Sequence, residues 1–364
     1  MHCASLGEFE QGRPLLEKIK KDYPLYKIVI TFFSPSGYEI RKNYTGADAV
    51  FYLPMDSAGN AKRFIDIIRP DLVLWVKYEY WYYYLTELKK RSIPVLLVSG
   101  IFRESQPFFK WYGKIWTEML HSFKHLFVQN ENSLLLVQPL LREKASFNGD
   151  TRFDRVIDIA EKVEEWPEIN LFCSGHIVIV AGSTWEEDET ELIHYVKAHP
   201  EIKFIIAPHE VDKDNLADVK KEFKKSVFYS QLNAIKEVSA NTNVLIIDNI
   251  GMLAKLYKYA TITYVGGGFN SSGIHNSLEA AVYGRPVIFG PVYEKFAEAK
   301  GLVKCGGAFS ISNALELEKL LNGLLNSEEK LLQSSTAAKE YVYQNRGATE
   351  RIMHYIAENR LLIS

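Results

Sequence analysis

The chain is poor in cysteine: three residues, Cys3, Cys173 and Cys305, stand far apart in 364. Without a Cys-x-x-Cys pair they support neither a zinc site nor a disulfide framework, and a reducing compartment fits. Net charge is also nearly absent. Lys and Arg number 43 against 45 Asp and Glu, leaving −2, so no global field directs the chain to nucleic acid. No run of about 18 apolar residues encodes a transmembrane helix, and the opening residues do not read as a secretory signal. No G-K-[ST] of a Walker A loop occurs, and the third glycine of a dinucleotide fingerprint begun at Gly266 falls on Ser271. An ATPase and a nicotinamide enzyme are thereby disfavoured. His121 and His125 stand four apart, but no glutamate follows His121 as a zincin requires. No metal site is assigned, and the pair reads as a solvated helix face.

What is present is a chain long enough for two domains, of ordinary globular composition. Near-continuous apolar runs punctuate it: Lys27 to Phe32, Val50 to Pro54, Asp71 to Val76, Pro94 to Val98, Leu126 to Val128 and Lys144 to Phe147. A second series covers Ile177 to Ala181, Lys203 to Ala207, Val244 to Asp248, Ala260 to Val265 and Pro286 to Phe289. Such runs suit parallel strands buried on both faces. Helix signals cover Glu10 to Asp22, with Leu15, Leu16 and Ile19 on one face, and Asn60 to Arg69, stopped by Pro70. A polar helix from Asp154 to Glu165 leads to Trp166-Pro167 as the connection. The expected fold is α/β, with two Rossmann-like, doubly wound parallel-sheet domains facing a central cleft at the strand carboxyl ends. Domain one spans 1–160 and domain two 170–345. A last helix is expected near Ala337 to Ile363, with 346–364 returning to the first domain. His2 to Glu8 read as the end of a strand and a tight turn, the strand itself missing ahead of Met1.

The most informative segment is Tyr264 to Pro291. A strand runs into Gly266-Gly267-Gly268, a polar loop carries Gly273, His275 and Asn276, a helix covers Ser277 to Val282, and Gly284 ends it. Backbone N–H groups of such a loop, with a helix N-terminus behind it, favour an anion. A phosphate-bearing donor in the second half is the expectation.

Three acids carry two readings each. Glu8 is a first-turn acid suited to the helix dipole, or a general base at a strand-end turn. Glu79, in Lys77-Tyr78-Glu79-Tyr80-Trp81, is a helix-start acid paired with lysine, or a partly desolvated carboxylate suited to proton handling. Glu279 completes a capping box with Asn276, or accepts from ribose hydroxyls. The aromatic residues Tyr78 to Tyr84 and Phe108 to Trp116, interleaved with Lys110 and Lys114, are too dense to face inward together. Exposed rings beside lysines suit a membrane interface or a phosphorylated lipid.

In order along the chain, Ala4-Ser5-Leu6-Gly7-Glu8, Ser34-Pro35-Ser36-Gly37, Tyr52-Leu53-Pro54-Met55-Asp56, Arg69-Pro70-Asp71, Glu79-Tyr80-Trp81 and Gly149-Asp150-Thr151-Arg152-Phe153-Asp154 form one set of motifs. Ala181-Gly182-Ser183-Thr184-Trp185-Glu186, Pro208-His209 and Gly266-Gly267 through His275-Asn276-x-x-Glu279 complete it. The combination resembles the 3-deoxy-D-manno-octulosonic acid (Kdo) transferases of lipid A biosynthesis. That resemblance implies a GT-B glycosyltransferase which inverts the anomeric centre, with no cofactor and no metal. It implies CMP-Kdo as donor, a phosphorylated, acylated lipid A precursor as acceptor, and work at the cytoplasmic face of the bacterial inner membrane. Glu8 matches the family's base and Glu79 its second acid. Gly182, Ser183, Thr184, His209, Gly267, Gly268, His275, Asn276 and Glu279 match donor-side positions. Ser34, Ser36, Gly37 and Arg152 fall on the acceptor side. The chain departs from the family where Pro208 abuts His209 without an intervening arginine, where Lys77 replaces an acid, and where no anchoring helix precedes Met1. Two other readings stand beside this one. Another GT-B nucleotide-sugar enzyme, a UDP-sugar transferase or epimerase, shares the glycine loop and ribose acid. A non-catalytic lipid-binding protein accounts for the aromatic surface.

Overall fold

A computed structural model describes residues 1–162, 165–232 and 242–363. The chain divides into two compact units, Met1–Arg155 with Asn345–Ser364, and Val156–Gln344.

Unit 1 is built on seven strands: β1 (His2–Cys3), β2 (Val29–Phe32), β3 (Ala49–Tyr52), β4 (Val73–Val76), β5 (Val95–Gly100), β6 (His125–Val128) and β7 (Ala145–Phe147). Every pairing is parallel, in the order β3-β2-β1-β4-β5-β6-β7. Strand alternation sends Cys3, Ile30, Leu74, Val76, Leu96 and Val98 to one buried cluster, and Trp75, Val95, Leu97 and Val128 to another. Burial on both faces is why these strands read as continuous apolar runs. β1 is only two residues long, His2–Cys3, where the sequence reads as the end of a strand, and it pairs with β2 and β4 inside the sheet.

Unit 2 repeats the plan with β8 (Val178–Thr184), β9 (Lys203–Pro208), β10 (Ser226–Phe228), β11 (Val244–Ile246), β12 (Ile262–Val265), β13 (Val287–Phe289) and β14 (Ala308–Ser310). All are parallel, in the order β10-β11-β9-β8-β12-β13-β14.

The strand order reverses between β1 and β4 in the first sheet and between β8 and β12 in the second, where β10 and β11 are also interchanged at the edge. At such a point the flanking helices leave to opposite faces and open a crevice at the carboxyl ends. A cavity of unit 1, about 590 Å3, lies at the other end, lined by Met1, Ile28, Val29, Leu72 and Val73.

Several element boundaries differ from expectation. The predicted last helix is two, Glu328–Gln344 and Ala348–Glu358, broken where Gly347 takes φ 98°. Asp154 fixes the break by accepting the N–H groups of Gly347 and Thr349. The helix read over Asp154 to Glu165 is Thr151–Glu161; residues 163–164 lie outside the described residues. His121 and His125 do not share a helix face. The Lys114–Leu120 helix has ended, and His125 opens β6, buried with Nε2 2.8 Å from Ser146 Oγ.

Candidate active site

Glu8 is set by the first turn of the Leu6–Asp22 helix, which follows β1 directly. Ser5 caps that helix, its Oγ accepting the Glu8 N–H at 3.4 Å, and the Glu8 carboxylate reaches back to the Ala4 N–H. The residue is 8% exposed, and burial lifts its pKa from 4.5 to about 7, with Glu79 adding to the rise and the Ala4 N–H and Lys77 opposing it. The helix-start reading and the base reading therefore describe one geometry. The same turn that caps the helix holds a carboxyl at the reversal point with its pKa near neutrality, where a general base works best.

Glu79 follows β4, the neighbour of β1. Trp81 Nε1–H donates to its carboxylate and Trp75 Nε1–H to its carbonyl. Its fixed partners are indoles rather than the lysine of the helix-start reading. Lys77 holds φ 61°, a conformation kept by non-glycine residues only where surroundings impose it. Asp150 and Arg152 come from the end of β7. Asp150 accepts from Arg152 Nε at 2.9 Å and Nη2 at 2.7 Å, and from the Gln129 side chain.

Three of the acceptor-side candidates also serve local structure. Ser34 Oγ caps the Pro35–Arg41 helix through the Ser36 N–H at 3.2 Å, and the two serine hydroxyls bond each other at 2.8 Å. A Cβ on Gly37 would lie 2.3 Å from the Phe32 ring.

In unit 2, β8 runs further than expected, through Ser183 and Thr184, with an irregular register between Gly182 and Thr184 and φ 53° at Ser183. The Thr184 hydroxyl donates to buried Glu189 at 2.8 Å. Asp188, 1% exposed, accepts from the Trp185 N–H at 3.0 Å, the Gly267 N–H at 2.8 Å and the Tyr264 hydroxyl at 2.7 Å. Two of the three N–H groups of the glycine triplet are engaged within the protein. The Gly267 N–H is bound to Asp188 and the Gly266 N–H to the Gly182 carbonyl. The glycines are required by close approach: a Cβ on Gly266 would lie 2.3 Å from the Ser183 oxygen, and one on Gly268 2.5 Å from the Gly290 nitrogen. The helix behind the loop is one turn, Leu278–Ala281, so its dipole contributes little.

What the loop does place is a set of rings. His209 lies 4.4 Å from Trp185 and 4.4 Å from His275, centroid to centroid, at 24° and 27°. Trp185 Nε1–H donates to His275 Nε2 at 3.1 Å. An indole N–H only donates, so Nε2 accepts and the neutral ring carries its proton on Nδ1. Burial, with His209 beside it, lowers the His275 pKa to about 4, so this neutral form prevails at physiological pH. Asn276 and Glu279 do not form the expected capping box. Asn276 Oδ1 accepts the Leu278 N–H at 3.2 Å, while its Nδ2 donates to Glu279 Oε1 at 3.0 Å.

Sequence reasoning missed Trp185, Asp188, Glu189 and Tyr78 as site residues. The acidic run Glu186 to Glu189 reads as ordinary dipole-favourable helix start. Only its position straight after a strand marked it. Among the described residues no group of three or more His, Cys, Asp or Glu side chains is disposed to hold a metal ion.

Residues 1–155 match the family model of the 3-deoxy-D-manno-octulosonic-acid transferases (kdotransferases). The chain is 28% identical to a 3-deoxy-D-manno-octulosonic acid transferase of Haemophilus influenzae, over 97% of this chain and 85% of that protein. It is 26% identical to the enzyme of the same name from Aquifex aeolicus, over 91% and 87%. Among solved structures, the UDP-GlcNAc 2-epimerase from Neisseria meningitidis superposes with a TM-score of 0.67 at 15% identity, covering 98% of each chain. MurG from Acinetobacter baumannii gives 0.57 at 13%, again over 98% of each. These likenesses show the two-domain α/β GT-B fold. By these sequence matches the chain is similar to the 3-deoxy-D-manno-octulosonic acid (Kdo) transferases, the family its motifs resemble.

Proposed function

We propose that the protein is an inverting glycosyltransferase that moves Kdo from CMP-Kdo to a phosphorylated, acylated lipid A precursor in lipopolysaccharide biosynthesis. The observation that carries this reading is Glu8, a buried carboxyl with its pKa near 7 at the reversal point of the first sheet. An acceptor hydroxyl attacks the anomeric carbon of Kdo on the face opposite the phosphate. The new C–O bond forms as the bond to CMP breaks, the proton passes to Glu8, and CMP leaves as an anion. A single displacement of this kind inverts the centre. In unit 2, His275 supplies an Nδ1–H for the departing phosphate, His209 and Trp185 supply ring faces, and Asn276 with Glu279 suits the ribose hydroxyls.

The acceptor is a lipid, and the chain presents a surface suited to one. Trp111 is 96% exposed, and Tyr112, Ile115 and Trp116 are exposed beside Lys110 and Lys114. Among the described residues no helix is long and apolar enough to cross a membrane. Peripheral docking at the cytoplasmic face of the inner membrane through these rings and lysines fits both facts.

The test is CMP release from CMP-Kdo with and without lipid A precursor. Acceptor-dependent release is expected, together with thermal stabilisation by CMP and none by UDP. Stabilisation by UDP with no CMP release would favour the epimerase-like alternative.

A further inference from the structure

Across the first sheet from β1 to β7, the carboxyl ends present Glu8, then Lys77, Tyr78 and Glu79, then Arg103, then Gln129, then Asp150 and Arg152. On the other side of Glu8, β2 and β3 lead into Phe33 to Gly37 and Leu53 to Asp56, which carry no cation, so the cations at these strand ends lie on one side. Arg152 is held by Asp150. The other two converge on a ring: Lys77 Nζ lies 5.4 Å and Arg103 Cζ 5.8 Å from the Tyr78 centroid. Tyr78 is partly exposed, and its hydroxyl lies within the fields of Glu8, Arg103, Arg152 and Asp150. Arg103 is exposed and makes no ion pair with a carboxylate among the described residues; its backbone N–H is held by the Gln106 side chain at 2.9 Å. The Lys77 backbone is held in a left-handed turn, its N–H donating to the Val98 carbonyl at 3.0 Å.

We propose that Arg103 and Lys77, gathered on the Tyr78 ring, form a recognition site for a phosphate monoester of the acceptor beside Glu8. The inference rests on the function proposed above and names the feature of the acceptor that this unit reads. A guanidinium fork without a carboxylate partner matches two phosphate oxygens, and a lysine adds a point charge. The Tyr78 ring face fixes where both cations stand, so little side-chain freedom is lost on binding. The arrangement also answers an electrostatic difficulty. A phosphorylated acceptor approaching Glu8 and Glu79 meets like charge, and cations on one flank draw its phosphate to that flank while the hydroxyl meets the base.

The test pairs Arg103→Met with two acceptors, lipid A precursor and the same molecule stripped of phosphate, each in micelles of an uncharged detergent so that no headgroup phosphate is present. Loss of a charge-assisted contact of this kind corresponds to about a 10- to 100-fold fall in kcat/KM. That fall is expected for Arg103→Met on the phosphorylated acceptor, with partial recovery in Arg103→Lys. On the dephosphorylated acceptor wild type and Arg103→Met should be equal, and CMP affinity should match throughout. An active wild type with Arg103→Met impaired equally on both acceptors, or on neither, overturns the site alone. A wild type that releases no CMP with either acceptor overturns the functional reading and the site with it.

Discussion

Oδ2 of Asp188 accepts the N–H of Gly267 at 2.8 Å, joining residues 79 apart in sequence. The same carboxylate takes the Trp185 N–H and the Tyr264 hydroxyl, so one buried acid ties the end of β8 to the end of β12. Trp185 in turn sets His275 through its indole N–H, and the His275 N–H donates to the Gly266 carbonyl at 3.0 Å. The ring cluster stands where Asp188 puts it.

Asp188→Asn replaces one of two acceptor oxygens with an amide that faces donors. A loss of about 3 kcal/mol is expected, the scale of a hydrogen bond to a charged group together with an unsatisfied buried donor. Urea unfolding gives the stability. Trp185 fluorescence gives a second readout, since a displaced indole no longer stacks on His209. A native melting midpoint with unchanged fluorescence contradicts the clamp.

Glu8→Gln retains size and an acceptor for the Ala4 N–H but cannot take a proton. Turnover is expected to fall about a hundredfold or more, with the thermal midpoint nearly unchanged. In the wild type, activity should rise as pH passes through about 7, where Glu8 becomes a carboxylate. Wild-type turnover in the variant would remove Glu8 from its role.

Glu189 predicts an unusual pH dependence of stability. Burial raises its pKa from 4.5 to about 7. Between these values the folded chain holds a proton that the unfolded chain has released, so stability falls as pH rises through the window. The penalty is complete above about 7 and absent below about 4.5, and Glu8 acts in the same sense. Glu189→Gln, still able to accept from Thr184, should stabilise the protein by about 2 to 3 kcal/mol at pH 8 and leave it unchanged at pH 4. Denaturant midpoints at the two pH values decide the matter; equal shifts at both speak against a titrating Glu189.

Glu279→Gln separates ribose binding from local structure. Asn276 can still donate to the new amide oxygen, so the melting temperature should hold. CMP affinity should weaken by roughly 1.5 to 3 kcal/mol on loss of a charge-assisted bond. Calorimetric titration with CMP measures it, and unchanged affinity with a lowered midpoint would return Glu279 to a structural role.

The Trp111 surface predicts salt-sensitive binding to anionic vesicles. Co-sedimentation should be strong at low salt, weaker at high salt, and reduced in the Lys110→Glu, Lys114→Glu double variant with CMP affinity intact. Binding indifferent to salt and to charge reversal would exclude this face.

The sheets were legible because parallel strands buried on both sides leave uninterrupted apolar runs, as Val95 to Val98 and Phe204 to Ile206 do. Glu79 stands just after the Asp71 to Val76 run and Glu8 in the Ala4-Ser5-Leu6-Gly7-Glu8 turn, and at both a helix-start reading competes with the catalytic one. What stayed hidden depends on contacts remote in sequence. Nothing near Asp188 announces Gly267, and nothing near Gly347 announces Asp154. The glycine triplet was legible as a special turn but not as one in which the Gly266 and Gly267 N–H groups are already occupied. Helical periodicity in residues 328–358 masked a break that a residue nearly two hundred positions earlier imposes.

The two-piece make-up of unit 1 sets an order of events during synthesis. Ile352, Met353 and Ile356 fill the same buried cluster as Phe9, Leu16 and Phe127, yet they emerge from the ribosome only after all of unit 2 has been made. The half that carries Glu8 is begun first and completed second. Chains that end at residue 344 and are free of the ribosome should therefore hold a finished unit 2 alongside a first unit whose Leu6–Asp22 helix still lacks its cover.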